Sequence, residues 1–414
     1  MLIKRSDIKM LYRFLIHKFK VWLIRVSYKF ISYNIFSWLA ERLSKRYVIF
    51  VLYEPNHVVQ DYKYLLLDSL KLISSKILIV VNGEISKSDI NKLNRYGKLI
   101  IRDNIGYDST AYQVGVLAAF KDGLKYYTEL LFVNDTIIGP FINWKDIFKI
   151  MRLKKVDFWG LTKGKSQSDF TNINPNGYIP EHLQSYFLSI NCSLVNDLKF
   201  KSYWQYFPCI NSRNEAVGLF ETVFTKYWSD LGYSYSSLVE LEHSSDIYNK
   251  PLSLLKKGLP IIKFNSLFNY NDEQFAWNEV DYKSEVPELL KYIKFHTTFP
   301  VDLVENIVLG LKKADLDKTN EVIIVIDLKS QIHLNDIKYI IKRVKKIGLK
   351  PVFVDVKDLY PMKFKFCVAI IIFYIYSESI ILWLENLALN RDKMIVNIDK
   401  ECEISTALDS IRIV

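Results

Sequence analysis

The chain reads as an α/β protein built on a mainly parallel, wound sheet, and three observations predict this. Apolar runs rich in β-branched residues recur at 47–53 (YVIFVLY), 76–83 (KILIVVNG), 98–102 (KLIIR) and 130–133. The segments between them carry helical spacing, and the resulting βαβαβαβ alternation calls for right-handed crossovers between parallel neighbours. With 414 residues, half of them hydrophobic, the chain has enough apolar surface for a full core and the length of two domains.

The net charge of +11 is uneven. Residues 1–46 hold eleven Lys and Arg against Asp7 and Glu41, so +9 lies there and the rest is close to neutral. A near-neutral body argues against a nucleic-acid-binding surface. Residues 8–46 form a basic, aromatic-rich helical arm. Lys9, Arg13 and Lys20 fall on one side of it, and Lys18, Arg25 and Lys29 on nearly the opposite side. No apolar run there reaches the ~18 residues of a membrane span. Contact with an anionic membrane surface and packing on the protein with a solvated basic face both fit this pattern. No Sec-type signal peptide is expected. Cys192, Cys209, Cys367 and Cys402 share no metal-ligand spacing and read as reduced core thiols of a cytoplasmic protein.

Helices are expected at 61–72, 87–96 and 109–123. After a Gly139-Pro140 turn, a helix at 144–151 and a strand at 157–162 follow. Residues 163–180, rich in Ser, Asn, Gly and Pro, read as a long loop of the kind that covers active sites. A strand at 182–191, a helix at 196–207, a helix at 214–231 and an extended stretch at 233–241 come next. A basic turn, Lys256-Lys257-Gly258, precedes a short strand with Lys263. Residues 269–318 read as polar and less regular, a connecting region. From 321 the alternation restarts as a smaller, half-Rossmann-like α/β unit over 319–414, with strands expected at 321–327, 350–356, 366–376 and 393–398 and helices at 334–347 and 378–389. The apolar run 366–384 is interrupted by Ser377-Glu378 and suits a buried strand and a helix better than a membrane span.

The candidate site lies at two strand ends. The first strand runs into the polar turn Arg102-Asp103-Asn104-Ile105-Gly106-Tyr107-Asp108, and the second into Asn134-Asp135-Thr136. Open α/β sheets bind ligands at the carboxyl ends of strands where the connection order switches. A cation, a hydrogen-bonding loop and an acid there suit a phosphorylated ligand with a divalent metal. No G-x-G-x-x-G or Walker-type loop appears, so neither a standard dinucleotide site nor a P-loop is supported. Asp135 is a candidate metal ligand, or a cap on the turn at Ile137. Asp108 is a candidate base or ribose contact, a cap on the helix that follows, or both. Arg102 is a candidate phosphate ligand, or the partner of Asp103 or Asp108. Gly106 supplies a positive φ or a close backbone approach. Glu221, on a helix among Leu219, Phe220, Val223 and Phe224, is a candidate general base, or the partner of Lys226. His182 and Gln184 head a strand as acceptor-side or lid residues, although His182 reads equally well as a loop histidine. No Ser-His-Asp arrangement or H-E-x-x-H is visible.

The blocks RDNIGYDSTAYQVG, LLFVNDTIIGPF, VDFWGLT, HLQSYFL, the Glu221 helix with LGYSYSSL, and LLKKGLPIIKFNSLF resemble the rhamnan synthesis protein F family in order and content. The resemblance covers about 47–270. It implies a GT-A-like, inverting, nucleotide-sugar-dependent glycosyltransferase of bacterial cell-surface polysaccharide assembly. Asn82 then resembles the first nucleotide contact, and the Asn104–Asp108 turn the N-x-G-x-[DN] loop. Asn134-Asp135-Thr136 takes the place of the D-x-D metal motif, and Glu221 that of the catalytic base. Asn134 departs from D-x-D, which puts Mg²⁺ or Mn²⁺ dependence in doubt and offers Lys263 or Lys256 as the diphosphate's partner. The implied partners are a nucleotide sugar, with dTDP-rhamnose favoured, and an oligosaccharide or lipid-linked acceptor. The implied location is cytoplasmic, peripheral on the inner face of the membrane. A non-catalytic assembly scaffold of the same fold is the alternative.

Overall fold

The computed structural model describes residues 41, 44–269, 274–277 and 280–318, with short segments at 321–326, 341, 350–355, 369–373 and 394–398. The basic arm expected over 1–46, apart from Glu41 and residues 44–46, lies outside the described residues. So do the helices expected at 334–347, apart from residue 341, and at 378–389.

The central sheet starts with β1 (Arg46–Tyr53), β2 (Lys76–Asn82), β3 (Lys98–Arg102) and β4 (Glu129–Asn134). The helices between them are α1 (Asp61–Lys71), α2 (Lys87–Leu93) and α3 (Tyr107–Lys121). Next come β5 (Ile137–Ile138), α4 (Trp144–Lys154) and β6 (Phe158–Gly164). The short strands β7 (Gln167–Ser168), β8 (Tyr178–Ile179) and β9 (His182–Leu183) lead into β10 (Phe187–Asn191). After α5 (Leu198–Gln205) and α6 (Thr222–Asp230), β11 (Tyr235–Glu240) closes the sheet. Its order is β11-β6-β10-β4-β1-β2-β3, with β9 added to β6. The pairs β1–β2, β2–β3, β1–β4 and β6–β11 are parallel, and β10 runs antiparallel between β4 and β6. This is the mainly parallel wound sheet expected from the sequence.

Period-2 alternation of β1 explains how two cores form. Val48, Phe50 and Leu52 pack on one side with Leu66 and Leu70 of α1 and Trp144 and Phe148 of α4. Tyr47, Ile49 and Val51 pack on the other with Ala111, Tyr112 and Val116 of α3 and with Phe224 and Trp228 of α6. The amino-terminal end of β1 is fastened by Arg46, buried against the Phe148 ring at 3.8 Å and bonded to Glu129 at 2.6 Å and Glu41 at 2.7 Å.

Three segments differ from expectation. Residues 163–180 are not one loop. β6 extends to Gly164, and β7 pairs antiparallel with β8, because backbone polar groups near the surface are satisfied by local pairing. Within this hairpin, Asp169 accepts from Thr171 and Asn174 backbone N–H groups. Its tip docks on the helical segment at 213–230, where Asn174 Nδ2 donates to Thr222 Oγ1 at 2.8 Å. The close approach depends on Gly218, where a Cβ would lie 2.6 Å from Thr171 Oγ1 and 2.9 Å from Ile173 Cγ1. Gly218→Ala is expected to cost about 1–3 kcal/mol. It should also raise protease cleavage within 165–180, which limited proteolysis beside a urea titration would measure.

Second, residues 182–191 make two strands rather than one. β9 pairs with β6, and β10 pairs with both β4 and β6, leaving Gln184, Ser185 and Tyr186 as a crossing between them. Third, residues 286–318 are helical. After α7 (Pro251–Lys256), β12 (Ile262–Lys263) and a hairpin of β13 (Gln274–Trp277) with β14 (Val280–Lys283), the chain forms α8 (Val286–His296) and α9 (Val301–Lys318). Val286, Leu289, Ile293, Val304 and Val308 pack with Ile138, Leu252, Leu255 and Ile262. The charges between these apolar positions masked their helical spacing.

The last strands, β15 (Glu321–Ile326), β16 (Lys350–Asp355), β17 (Ala369–Phe373) and β18 (Met394–Ile398), form a separate four-stranded parallel sheet in the order β16-β15-β17-β18. The expected strands at 321–327, 350–356 and 393–398 are thus present. Within the apolar run 366–384, residues 369–373 are a strand paired on both sides. No helix among the described residues is long and apolar enough to cross a membrane.

Candidate active site

From β1 the chain winds outward through β2 to β3, then returns to β4 on the other side of β1. The switch point therefore lies between the carboxyl ends of β1 and β4, where a crevice is expected. Those ends carry Tyr53 and Glu54 on one side and Asn134, Asp135 and Thr136 on the other.

The neighbouring turn is held by short-range bonds. Arg102 donates to Asn82 Oδ1 at 2.5 Å and also to the Ile105 carbonyl. Asn82 Nδ2 donates to the Tyr107 carbonyl at 3.2 Å. Arg102 thus braces the loop, and neither Asp103 nor Asp108 is its hydrogen-bond partner. Asn104 is exposed at the rim. Gly106 has φ +81°, and a Cβ there would lie 2.0 Å from Thr110 Oγ1, so glycine is required on two counts. The helix starts at Tyr107 rather than Ser109, which puts Asp108 in its first turn instead of at its cap. Asp108 instead accepts from Asn134 Nδ2 at 2.6 Å. Burial raises the Asp108 pKa, and Asp135 pushes it further, against the opposing pull of Lys263 and of Asn134.

In the Asn134-Asp135-Thr136 tip, the turn is capped by Asn134. Its Oδ1 accepts from the Thr136 backbone N–H at 3.2 Å and from the Thr136 hydroxyl at 2.6 Å. Asp135 is buried, and its Oδ2 accepts from Lys63 Nζ at 2.5 Å and from the Tyr53 backbone N–H at 3.0 Å. Lys63 also pairs with Glu54 at 2.8 Å and donates to the Tyr53 carbonyl at 2.8 Å. Burial works against the Lys63 ammonium, but Asp135 and Glu54 outweigh it and hold its pKa above the ordinary lysine value.

Lys263 arrives from β12, whose pairing with β5 sets Lys263 opposite Ile137. Its Nζ donates to Thr136 Oγ1 at 2.5 Å and sits 4.5 Å from the centre of the Tyr186 ring. Burial lowers its pKa to about 8, against the opposing pull of Glu221, Asp108 and Asp135 and with help from Arg213. The sign follows from proton binding. Between about 8 and the ordinary 10.5, the unfolded lysine holds its proton and the folded one has released it. Stability therefore rises with pH across that window. Urea midpoints of Lys263→Met should lack that rise, which titrations of both proteins between those pH values would show.

Glu221 closes the cluster. It ends a π-helical turn, Val217–Glu221, set inside the helical segment at 213–230. Such turns shift side chains out of α-helical register and recur at functional sites. Glu221 Oε2 accepts from the Ser185 backbone N–H at 3.0 Å and from the Ser185 hydroxyl. Ser185 and Tyr186 lie beside the tip of β4, since the Asn134 N–H donates to the Tyr186 carbonyl at 3.1 Å. Lys226 pairs with Asp230, so it is not the partner of Glu221.

The sequence candidates Asn82, Arg102, Gly106, Asp108, Asn134, Asp135, Glu221 and Lys263 therefore gather at the strand ends. His182 and Gln184 do not stand on an exposed lid. Both are buried: His182 Nδ1 bonds the Pro180 carbonyl at 2.8 Å, and Gln184 Oε1 accepts from Thr162 at 2.6 Å. Lys256 ends α7 with its ammonium 5.7 Å from the Tyr292 ring centre, whereas Lys263 makes the Thr136 contact. Lys63, Glu54 and Ser185 are contributors that sequence reasoning missed. Only the odd placement of a lysine in an apolar helical stretch, YKYLLL, signalled Lys63.

A divalent cation fits this donor set poorly. Asn134 and Thr136 offer an amide and a hydroxyl already bonded to each other, and Asp135 is held by an ammonium. No group of three or more His, Cys, Asp or Glu residues among those described is arranged to hold a metal.

Fold and site define an α/β protein with acids, amides and a lysine gathered at the switch point of a wound sheet. The sequence profile of rhamnan synthesis protein F matches residues 77–412, and the chain belongs to that family. A relative in Sinorhizobium fredii, the uncharacterized protein y4gN, is 28% identical over 243 residues, 58% of this chain and 59% of the relative. The chain thus matches about three-fifths of that relative's length. Among solved structures, core-mannan synthase A of Aspergillus fumigatus in its Mn/GDP form overlaps 43% of this chain and 66% of its own, at 10% identity and TM-score 0.24. A mycobacterial protein overlaps 54% and 78%, at 12% identity and TM-score 0.32. Glucosyl-3-phosphoglycerate synthase of Mycobacterium tuberculosis, with Mn²⁺, UDP and product, overlaps 38% and 60%, at 10% identity and TM-score 0.25. At these scores the overlaps carry no functional argument.

Proposed function

We propose that the chain is an inverting glycosyltransferase of polysaccharide assembly, moving a sugar from a nucleotide diphosphate to a growing glycan. The observation that carries this reading is the meeting of Asp108, Asn134, Thr136, Lys263 and Glu221 at the β1/β4 switch point, in a chain of a family named for rhamnan synthesis. Asn82, Arg102, Asn104 and Gly106 shape the loop against the nucleoside, and Asp108 contacts base or ribose. Lys263 faces the diphosphate.

Glu221 is the base. Its Oε2 is fixed by Ser185, and its Oε1 has no hydrogen bond among the described residues. The acceptor hydroxyl gives its proton to that carboxylate, and its oxygen bonds to the anomeric carbon. The bond from that carbon to the diphosphate oxygen breaks, and the diphosphate leaves with the electron pair. Attack from the opposite face inverts the configuration. We take the sugar to be L-rhamnose or another deoxyhexose, with dTDP-rhamnose the favoured donor. The acceptor is an oligosaccharide, lipid-linked at the inner face of the membrane, which the basic arm would reach.

Thermal-shift binding against nucleotide diphosphates and nucleotide sugars tests this reading. A ligand at 100 times its Kd stabilises the fold by about 2.7 kcal/mol. Selective stabilisation by a dTDP- or UDP-linked sugar is expected. A protein that melts cooperatively and responds to no donor would instead be the assembly scaffold that Asn134 permits.

A further inference from the structure

We propose that Lys263 takes the place of a divalent cation at this site, so that the chain binds a nucleotide diphosphate without metal. The inference rests on the transferase reading above and specifies how that site neutralises its donor.

The argument starts from the three positions of the β4 tip. Mg²⁺ and Mn²⁺ prefer hard oxygen ligands and are commonly held by one or two carboxylates together with substrate phosphates. Here the two outer positions are Asn134 and Thr136. Asn134 spends its amide on Asp108 and its carbonyl oxygen on Thr136. The central Asp135 is tied through Oδ2 to the end of β1, by Lys63 and the Tyr53 N–H. A cation drawing on Asp135 Oδ2 must displace a buried ammonium and leave Lys63 with Glu54 and one carbonyl.

Lys263 has the opposite character. It is 7% exposed and has three N–H donors, of which one goes to Thr136. Its other near neighbour is the face of Tyr186, which attracts a cation but accepts no conventional hydrogen bond. Two donors of a buried ammonium therefore have no hydrogen-bond acceptor among the described residues. A buried charged group so placed is costly unless an anion completes it. The β5–β12 pairing holds the ammonium at the third position of the tip. The charged groups acting on it are Glu221, Asp108, Asp135 and Arg213. A diphosphate oxygen in the crevice supplies the acceptor that the two donors lack, as lysine does at many phosphate sites.

The test is calorimetric binding of UDP, GDP, dTDP and inorganic pyrophosphate to the full chain, once in EDTA and once in Mn²⁺. At least one nucleotide diphosphate is expected to bind in EDTA with a Kd within about threefold of its value in Mn²⁺, a difference under 1 kcal/mol. Lys263→Met should weaken that binding in EDTA by about tenfold or more, the range of a charged hydrogen bond, while Lys263→Arg retains part of it. If Lys263→Met does not fold, the EDTA and Mn²⁺ comparison on the unaltered protein decides alone. Binding seen only with Mn²⁺ overturns the inference and leaves the transferase reading standing. A folded Lys263→Met that binds in EDTA like the unaltered protein also overturns it. No binding in either buffer overturns both.

Discussion

Glu221→Gln is expected to lower sugar transfer by about a hundredfold to ten-thousandfold, the usual contribution of a general base. The amide oxygen of glutamine can still accept from the Ser185 N–H and hydroxyl, so the π-turn and its contact with the β9–β10 crossing should persist. Donor binding and the melting temperature should therefore stay close to those of the unaltered protein. The measurement is turnover of a nucleotide sugar with acceptor, read beside donor affinity. A loss of turnover with unchanged affinity identifies a group that acts on the acceptor's proton. Unchanged turnover would remove Glu221 from the mechanism. Loss of affinity and turnover together would make it part of the donor pocket instead.

Lys63→Met should have the largest effect on stability. It keeps most of the side-chain volume and removes the charge, stranding Glu54 and Asp135 as two buried carboxylates beside the Tyr53 carbonyl. Removing one partner of a buried ion pair costs about 3–5 kcal/mol. The folded pKa of Lys63 lies above its unfolded value, so its contribution is fully present below the ordinary lysine pKa. It is lost only as pH rises through the folded value. Urea titration near neutral pH should therefore show the whole loss. Adding Glu54→Gln should restore part of it, because one stranded charge is then gone. A loss below 1 kcal/mol would mean that the carboxylates find water or another cation. Recovery specifically on adding Mn²⁺ would show that Asp135 can serve as a metal ligand once Lys63 is out of the way.

The sequence by itself determined the α/β alternation, because buried parallel strands are written as short apolar runs whose period needs no distant partner. It also determined which polar residues stand at strand ends: Asn82, Arg102 and Asn134 each follow an apolar run at once, Asp135 comes next after Asn134, and Asp108 closes the turn that Arg102 opens. Glu221 was legible as an acid among apolar neighbours, though the π-turn that sets its register was not, since no residue pattern there marks it. The helices at 286–318 were hidden by charges on their solvent side, and the pairing of β7 with β8 by a composition typical of loops.

Tertiary structure alone decided which contacts each of these groups makes. Lys63 reaches Asp135 across 72 positions, and Lys263 reaches Thr136 across 127. No local period encodes contacts at that separation. They exist because β1 and β4 are neighbours at the switch point and because β12 pairs with β5. That geometry turned Asp135 from an open metal ligand into the partner of a buried lysine. It also set the Lys263 ammonium beside Thr136 and the Tyr186 ring, with two donors unspent among the described residues. Which charge meets a ligand is fixed by burial and by the nearest counter-charge, and both are properties of the folded chain rather than of its order.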